Sequence, residues 1–417
     1  MQKPIKVLDF IIYWSIVLLP FSIAISAAPM SVFMALLITA FLTKKLLTKK
    51  PLFSPSAINI PLFILFAITC LSLVNAVNYR DSIKGGILRL LQYIFVFFIV
   101  VQELKDKKYI IKILFSVCSG LALVSFDGLW QVVTGKDFIR GYGPVINLGL
   151  VRATASFKDS NLMGIYLSAF APLAFGMTIN YFKGEAWVFI SLLSLLSLAG
   201  IALTYSRPTL LATYIALLFL GLAGKKKSLV VILTAILLAA PFILPGSIKK
   251  WAKEVDYNPV RFMCNDDRIA VYRNSLNMIK AHPFLGVGAN NYMKQYKRYK
   301  ETVEYRNVVT LDYMYAHNNF IHLASEIGLL GLAVFLWLLY KLFRECALIY
   351  RSLKESYLKM LALSLIAALI AFLVNGLTES SLYSSRVAII FWYLMGFIFA
   401  LAKFAPLESH LLRGRNK

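Results

Sequence analysis

Few side chains in this sequence can take up a proton near neutral pH. There are four histidines, His282, His317, His322 and His410. The one best placed for chemistry is His317, in Tyr315-Ala316-His317-Asn318-Asn319-Phe320, where a long polar segment gives way to a strongly apolar run. A neutral imidazole at the mouth of a membrane helix is a natural acceptor for a hydroxyl proton. Taken alone, the stretch reads more readily as a hydrogen-bonded interfacial histidine, so the neighbouring charges have to decide.

Arg207 is the sharpest of these charges. It lies in Thr204-Tyr205-Ser206-Arg207-Pro208, between two apolar runs with no long loop to carry it into water. Pro208 suits the first turn of a helix, with Ser206 or Arg207 at the cap. The free N–H groups and dipole of that helix start would add to the guanidinium and favour a phosphate. Snorkelling to lipid headgroups is the competing reading. Arg152 precedes a second helix start, at Lys158-Asp159-Ser160-Asn161, and Asn318 precedes a third. The three helix N-termini are expected to converge on one face. Arg268 opens a helix in a polar segment, where it could grip phosphate oxygens as a fork or pair with Asp266 or Asp267. Asp266-Asp267 is expected to cap that helix and not to hold a metal, because no third carboxylate stands at useful spacing. His322 and Glu326, one turn apart, are expected to pair. Asp127 and Glu379 sit near span ends and suggest no specific role.

These residues need elements to position them. The chain has 417 residues and is 59% hydrophobic, with a mean hydropathy of +0.71, which excludes an ordinary soluble protein. The pattern predicts an all-α polytopic membrane protein of about twelve helices. They lie near 8–28, 29–44, 57–76, 86–103, 109–132, 160–181, 185–204, 208–223, 228–244, 319–342, 358–378 and 386–404. The first run is followed at once by a second and reads as a retained span. The net charge of +24 suggests nucleic acid at first sight. Most of it falls in short inter-helix segments: Lys44 to Lys50, Lys105 to Lys108, Lys183, Lys225 to Lys227, 341–359 and the tail Arg413 to Lys417. The positive-inside rule then puts both termini in the cytoplasm.

Three polar pieces fall outside: 133–159, the junction at 204–208 and the segment 245–318. The organisation is therefore spans over 1–244, a folded outer loop over 245–318, and spans with a cytoplasmic tail over 319–417. Within the loop, one amphipathic helix is expected from Arg268 to Lys280 and a second near Asn290 to Tyr305, with a turn at Gly286-Val287-Gly288. The outer pieces carry Arg140, Arg152, Lys158, Arg207, Arg261, Arg268 and Arg273. The positive-inside rule disfavours such an excess, and an anionic ligand is its simplest cause. The four cysteines show neither metal-site spacing nor a disulfide framework.

Four stretches together resemble the O-antigen ligase and polymerase family of bacterial membrane glycosyltransferases. They are Arg152 to Asn161, Thr204 to Pro208, Arg268 through His282-Pro-Phe-Leu-Gly-Val-Gly288, and Ala316-His-Asn-Asn-Phe320 with Glu326-Ile-Gly-Leu-Leu-Gly331. The resemblance, closest to the ligases, implies a GT-C-like inner-membrane enzyme with a periplasmic active site. It would take a glycan from undecaprenyl diphosphate and pass it to a sugar hydroxyl of the lipid A core, with inversion and without metal or cofactor. By resemblance His317 is catalytic, Arg207 and Arg268 hold the diphosphate, and Arg152 contributes less directly. Asn318, Tyr205 and Arg273 are possible supports. Pro208 stands where glycine is common in the family. A polymerase or a protein O-oligosaccharyltransferase would use the same site. A transporter would instead gather charges at mid-membrane, away from one face.

Overall fold

The computed structural model describes residues 2–147, 149–180 and 184–406. Lys183, His410 and the basic tail lie outside them. Long apolar runs must satisfy their own backbone in lipid, so the chain forms helices. In order these are α1 (Gln2–Ile25), α2 (Ala27–Thr48), α3 (Asn59–Leu71), the single turn α4 (Tyr79–Asp81) and α5 (Leu88–Glu103). A π-turn at Ser82–Ile87 joins the last two. Then follow α6 (Lys107–Thr134), α7 (Ser160–Asn180), α8 (Glu185–Leu203), α9 (Arg207–Ala223) and α10 (Lys227–Ile243). The polar segment carries α11 (Gly246–Glu254), α12 (Pro259–Met263), α13 (Asp266–Ala281) and α14 (Tyr292–Tyr299). The last helices are α15 (Asn319–Ser352), α16 (Ser356–Asn375) and α17 (Ser385–Ala400).

Among the described residues, nine helices are long and apolar enough to cross a membrane. Three shorter apolar helices, Asn59–Asn75, Arg207–Ala223 and Lys227–Ala239, occupy the remaining expected positions. The chain is a polytopic membrane protein. The stretch 341–359, expected as a loop, is mostly helix: α15 runs on through Lys341 and Arg344 to Ser352. The polar piece 133–159 contains a small antiparallel hairpin, β1 (Val145–Asn147) with β2 (Leu150–Arg152), that periodicity over three residues could not reveal.

α7, α16 and α17 form the centre of the bundle, while α2 and α8 turn apolar faces outward. Lipid gives helices no hydrophobic reason to associate, so close packing and polar contacts must hold them. Gly164 and Gly176 of α7 allow that approach, since a methyl at either would collide with Thr209 of α9 or Ser364 of α16.

The polar segment docks through backbone. α15 breaks at Ile327 and Gly328, the latter with φ 74°. The turn after α13 fills the break. Val287 N–H donates to Ser325 O (2.9 Å), Gly288 N–H to Glu326 O (3.0 Å), and Leu329 N–H to Pro283 O (2.7 Å). Gly286 and Gly328 leave no room for a side chain at this crossing. Irregular backbone at a membrane helix is tolerated where protein re-satisfies it. The glycine-rich turn and the Glu326-Ile-Gly stretch are thus two halves of one joint.

Candidate functional site

Three helices begin together at one end of the bundle. Asp159 accepts from the N–H groups of Asn161 (2.8 Å) and Leu162 (2.9 Å) at the start of α7. Ser206 is the extended residue before α9, and Pro208 sits in its first turn. Asn318 caps α15 by accepting from Phe320 N–H (2.8 Å) and Ile321 N–H (3.0 Å). Caps of this kind satisfy donors the helix cannot. The starts are tied to the end of α16 and the turn after it. Asn319 N–H donates to Gly376 O (2.7 Å), Asn318 Nδ2 to Leu377 O (2.8 Å), and Thr209 Oγ1 to Asn375 Oδ1 (3.1 Å).

Two residues before each helix start stands a non-glycine residue in the left-handed region: Lys158 (φ 63°), Tyr205 (φ 45°) and His317 (φ 48°). Such conformations cost about 1–3 kcal/mol each and persist only where surroundings over-determine them. For His317 the Tyr272 hydroxyl contributes, donating to its carbonyl at 3.0 Å.

The side chains meet at Glu379, which is 8% exposed. One carboxylate oxygen accepts from Arg268 and from Asn161 Nδ2 (2.8 Å). The other faces His317 Nδ1 at 3.3 Å. Burial alone would raise this carboxyl, but Arg268 and His317 outweigh it and hold Glu379 below its ordinary range. With the proton on Nδ1, the ring donates to Glu379 and its Nε2 is left as a base. No hydrogen-bond partner for that nitrogen occurs among the described residues, and the side chain is 27% exposed.

Around this pair stand three guanidiniums. Arg152 donates from Nε to Thr204 O (2.8 Å) and from Nη2 to Asn161 Oδ1 (3.0 Å). Arg207 donates to Phe262 O and lies over the rings of Phe262 (5.3 Å) and Trp251 (5.6 Å). Arg268 and Arg152 are both near enough to repel Arg207. Burial draws Arg152 below its ordinary value, partly offset by Asp159 and Glu379. Each guanidinium has five N–H donors, so all three keep some uncommitted. Three cations against Glu379 and the nearby Asp159 leave the cluster short of negative charge, as an anion site should be.

His317, Arg207, Arg268 and Arg152 are therefore brought together. Asn318 is in place as the cap. Tyr205 lies at the strained junction and makes no side-chain hydrogen bond among the described residues. Arg273 does not join them, because it pairs with Glu301 (3.4 Å) and stacks on Tyr305. The cap of α13 is Asn265, whose side chain accepts from Arg268 N–H (3.3 Å), not the Asp266-Asp267 pair. Asp266 instead holds Arg261 (3.2 Å), which leaves Arg268 for Glu379. α14 stops at Tyr299, six residues short of expectation, because the chain turns extended at Lys300 and buries Glu304 against Asn274 (2.9 Å). Sequence reading missed the roles of Glu379 and Asn161. The only signal for Glu379 was an ionisable residue near a span end.

The O-antigen ligase family model matches residues 192–336. The stretch contains Arg207, Arg268 and His317 and leaves out Arg152, Asn161 and Glu379. No curated protein matches the chain.

Proposed function

We propose that this chain is a membrane glycosyltransferase of the O-antigen ligase type. It takes a glycan from undecaprenyl diphosphate and transfers it to a sugar hydroxyl of the lipid A core at the periplasmic face of the bacterial inner membrane, with both termini cytoplasmic. The observation that carries this reading is the free Nε2 of His317, backed by Glu379, beside three convergent arginines.

The acceptor hydroxyl gives its proton to His317 Nε2 as its oxygen bonds to the anomeric carbon. The anomeric carbon–oxygen bond to the diphosphate breaks, and the electron pair leaves with the diphosphate. Arg207 and Arg268, with Arg152 behind them, neutralise the charge that builds there. Glu379 fixes the ring tautomer and stabilises the imidazolium as it forms, the work a carboxylate does behind a catalytic histidine. Attack opposite the leaving group inverts the anomeric centre. The outer segment 245–318 acts as a cap, delivering Arg268 on α13.

The charges gather at helix ends and not at mid-membrane, which disfavours a transporter. Purified protein incubated with lipid-diphosphate-linked glycan and, separately, lipid A core, a second carrier-linked glycan or a protein tests the reading. Product on the core alone is expected. Product on the second glycan alone would make the enzyme a polymerase, and no product with any acceptor would remove the activity.

A further inference from the structure

The end of the bundle opposite His317 holds a cavity of about 1690 Å³. It opens between the ends of α2, α5 and α17 and the last three turns of α15. Nine basic side chains line it against three carboxylates. Those carboxylates are largely committed. Lys44 bridges Asp9 (2.5 Å) and Glu103 (2.7 Å), and Lys105 also reaches Glu103 (3.4 Å). Lys403 is turned onto backbone, donating to Gln102 O (2.9 Å) and Leu104 O (3.2 Å). Lys50, Lys341, Arg344 and Arg351 have no carboxylate within ion-pair distance among the described residues. Three of them recur along α15 at helical spacing, so they form one strip facing the cavity.

The positive-inside rule explains why basic residues collect at this end. It does not explain why they face one another across a cavity, where like charges repel. The rest of the lining is partly apolar, with Ile60, Val101 and Phe399 from α3, α5 and α17, and Leu348 of α15 between Arg344 and Arg351. A soluble phosphate would need donors on all sides. A molecule with a phosphate head and hydrocarbon chains uses the basic and the apolar side chains at once, and basic pockets between membrane helices commonly hold such lipids.

We propose that this cavity binds an anionic phospholipid headgroup, with preference for one carrying two phosphates, its acyl chains lying against the apolar side chains of the lining. The site is separate from the arginine cluster around Glu379 and does not depend on the activity proposed for it. The shared chemistry is phosphate recognition, and the lipid is the source to which the mixed lining points.

The test uses the full chain in bilayer nanodiscs, with bound lipid counted by native mass spectrometry. The bilayers contain phosphatidylethanolamine alone, with phosphatidylglycerol, or with diphosphatidylglycerol. Wild type is expected to retain diphosphatidylglycerol in preference to the others. The triple variant Lys341→Gln, Arg344→Gln, Arg351→Gln should weaken retention by about fivefold per cation removed, on the order of a hundredfold in all. Glu345→Gln removes an opposing charge from the lining and should strengthen it, which keeps the idea testable if the triple variant does not fold. Equal retention of zwitterionic lipid, unchanged retention in the triple variant, or no gain in Glu345→Gln would each overturn the proposal. Displacement of the lipid by inorganic diphosphate at matched concentration would also overturn it, by making this a soluble-anion site.

Discussion

Two histidines near the start of α15 each face a glutamate, and their surroundings differ. His322 is 1% exposed. Its Nε2 faces Glu326 at 3.5 Å, its Nδ1 meets Ser380 Oγ at 3.0 Å, and its ring stacks on Tyr383 with centroids 3.5 Å apart. Glu326 in turn accepts the N–H groups of Asn290 (2.8 Å) and Tyr292 (3.1 Å). Both ring nitrogens are engaged, and the pair closes the joint between the outer segment and the broken helix. His317 sits in a left-handed turn, engages one nitrogen and leaves the other open beside three arginines. The same two residue types thus make a fastening in one place and a poised base in the other. The difference lies in what occupies the second nitrogen.

The arginines divide in the same way. Arg386 is buried and gives its N–H groups to Ile23 O (2.8 Å), Ala24 O (2.9 Å) and Ser156 O (2.6 Å), with Phe157 against its face at 3.6 Å. It has carbonyls and the Ser156 hydroxyl for partners and closes α1 onto the turn before α7. Arg207, Arg268 and Arg152 crowd one another with only Glu379 and Asp159 to offset them.

The largest effect should separate the two histidines. His317→Ala is expected to lose about two to four orders of magnitude in transfer rate, the usual worth of a positioned base, with donor binding kept. His322→Ala should lower the thermal midpoint and leave the rate per folded molecule near wild type. Equal rate losses in the two variants would dissolve the distinction. Next come the clamp arginines. Arg207→Ala or Arg268→Ala should cost on the order of 10²–10³ in rate, comparable to deleting a donor to developing charge. Arg207→Lys should recover only part, because an ammonium cannot form the fork. Full activity in both alanine variants would remove the clamp.

Glu379→Gln should also lower the rate, because an amide neither fixes the ring tautomer nor stabilises the imidazolium. It also carries a pH signature. Glu379 is held below its ordinary value of 4.5, so its ion pairs stabilise the fold above that pH. Their contribution is lost as pH falls through the lower, folded-state value. Thermal midpoints of wild type and Glu379→Gln should therefore differ at neutral pH and converge under acid. A gap that widened with acidification would reverse the assignment. Smallest of all in rate should be Arg386→Gln, which is expected to lower the midpoint and leave turnover of the folded enzyme unchanged.

Much of this arrangement was legible in the sequence. The spans follow from hydropathy. The helix starts at Ser160, Arg207 and Asn319 follow from Asp159, Ser206-Arg207-Pro208 and Asn318, because capping chemistry is local. The pairing of His322 with Glu326 follows from helical spacing. Glu379 was not legible, because its role exists only once the turn after α16 is folded over helix starts far away in sequence, at Ser160 and Asn319. Arg268 was ambiguous for the same reason: a phosphate and a pairing with Asp266 or Asp267 both fit until Arg261 is seen to occupy Asp266 and Glu379 to hold Arg268. The helical extension of α15 was hidden because its charges, Lys341, Arg344 and Arg351, read as a loop by composition while propensity kept them helical. The family match covers the three residues on α9, α13 and the start of α15 and ends before Glu379.

Proton uptake by His317 Nε2 should show in a pH–rate profile under single-turnover conditions. Purified enzyme loaded with lipid-diphosphate-linked glycan would be mixed with acceptor across the acid range, for wild type and for His317→Ala. Wild type should lose rate as pH falls, approaching tenfold per pH unit, while the residual rate of His317→Ala stays flat over the same range. An acid limb of the same position and slope in both enzymes would place the base elsewhere.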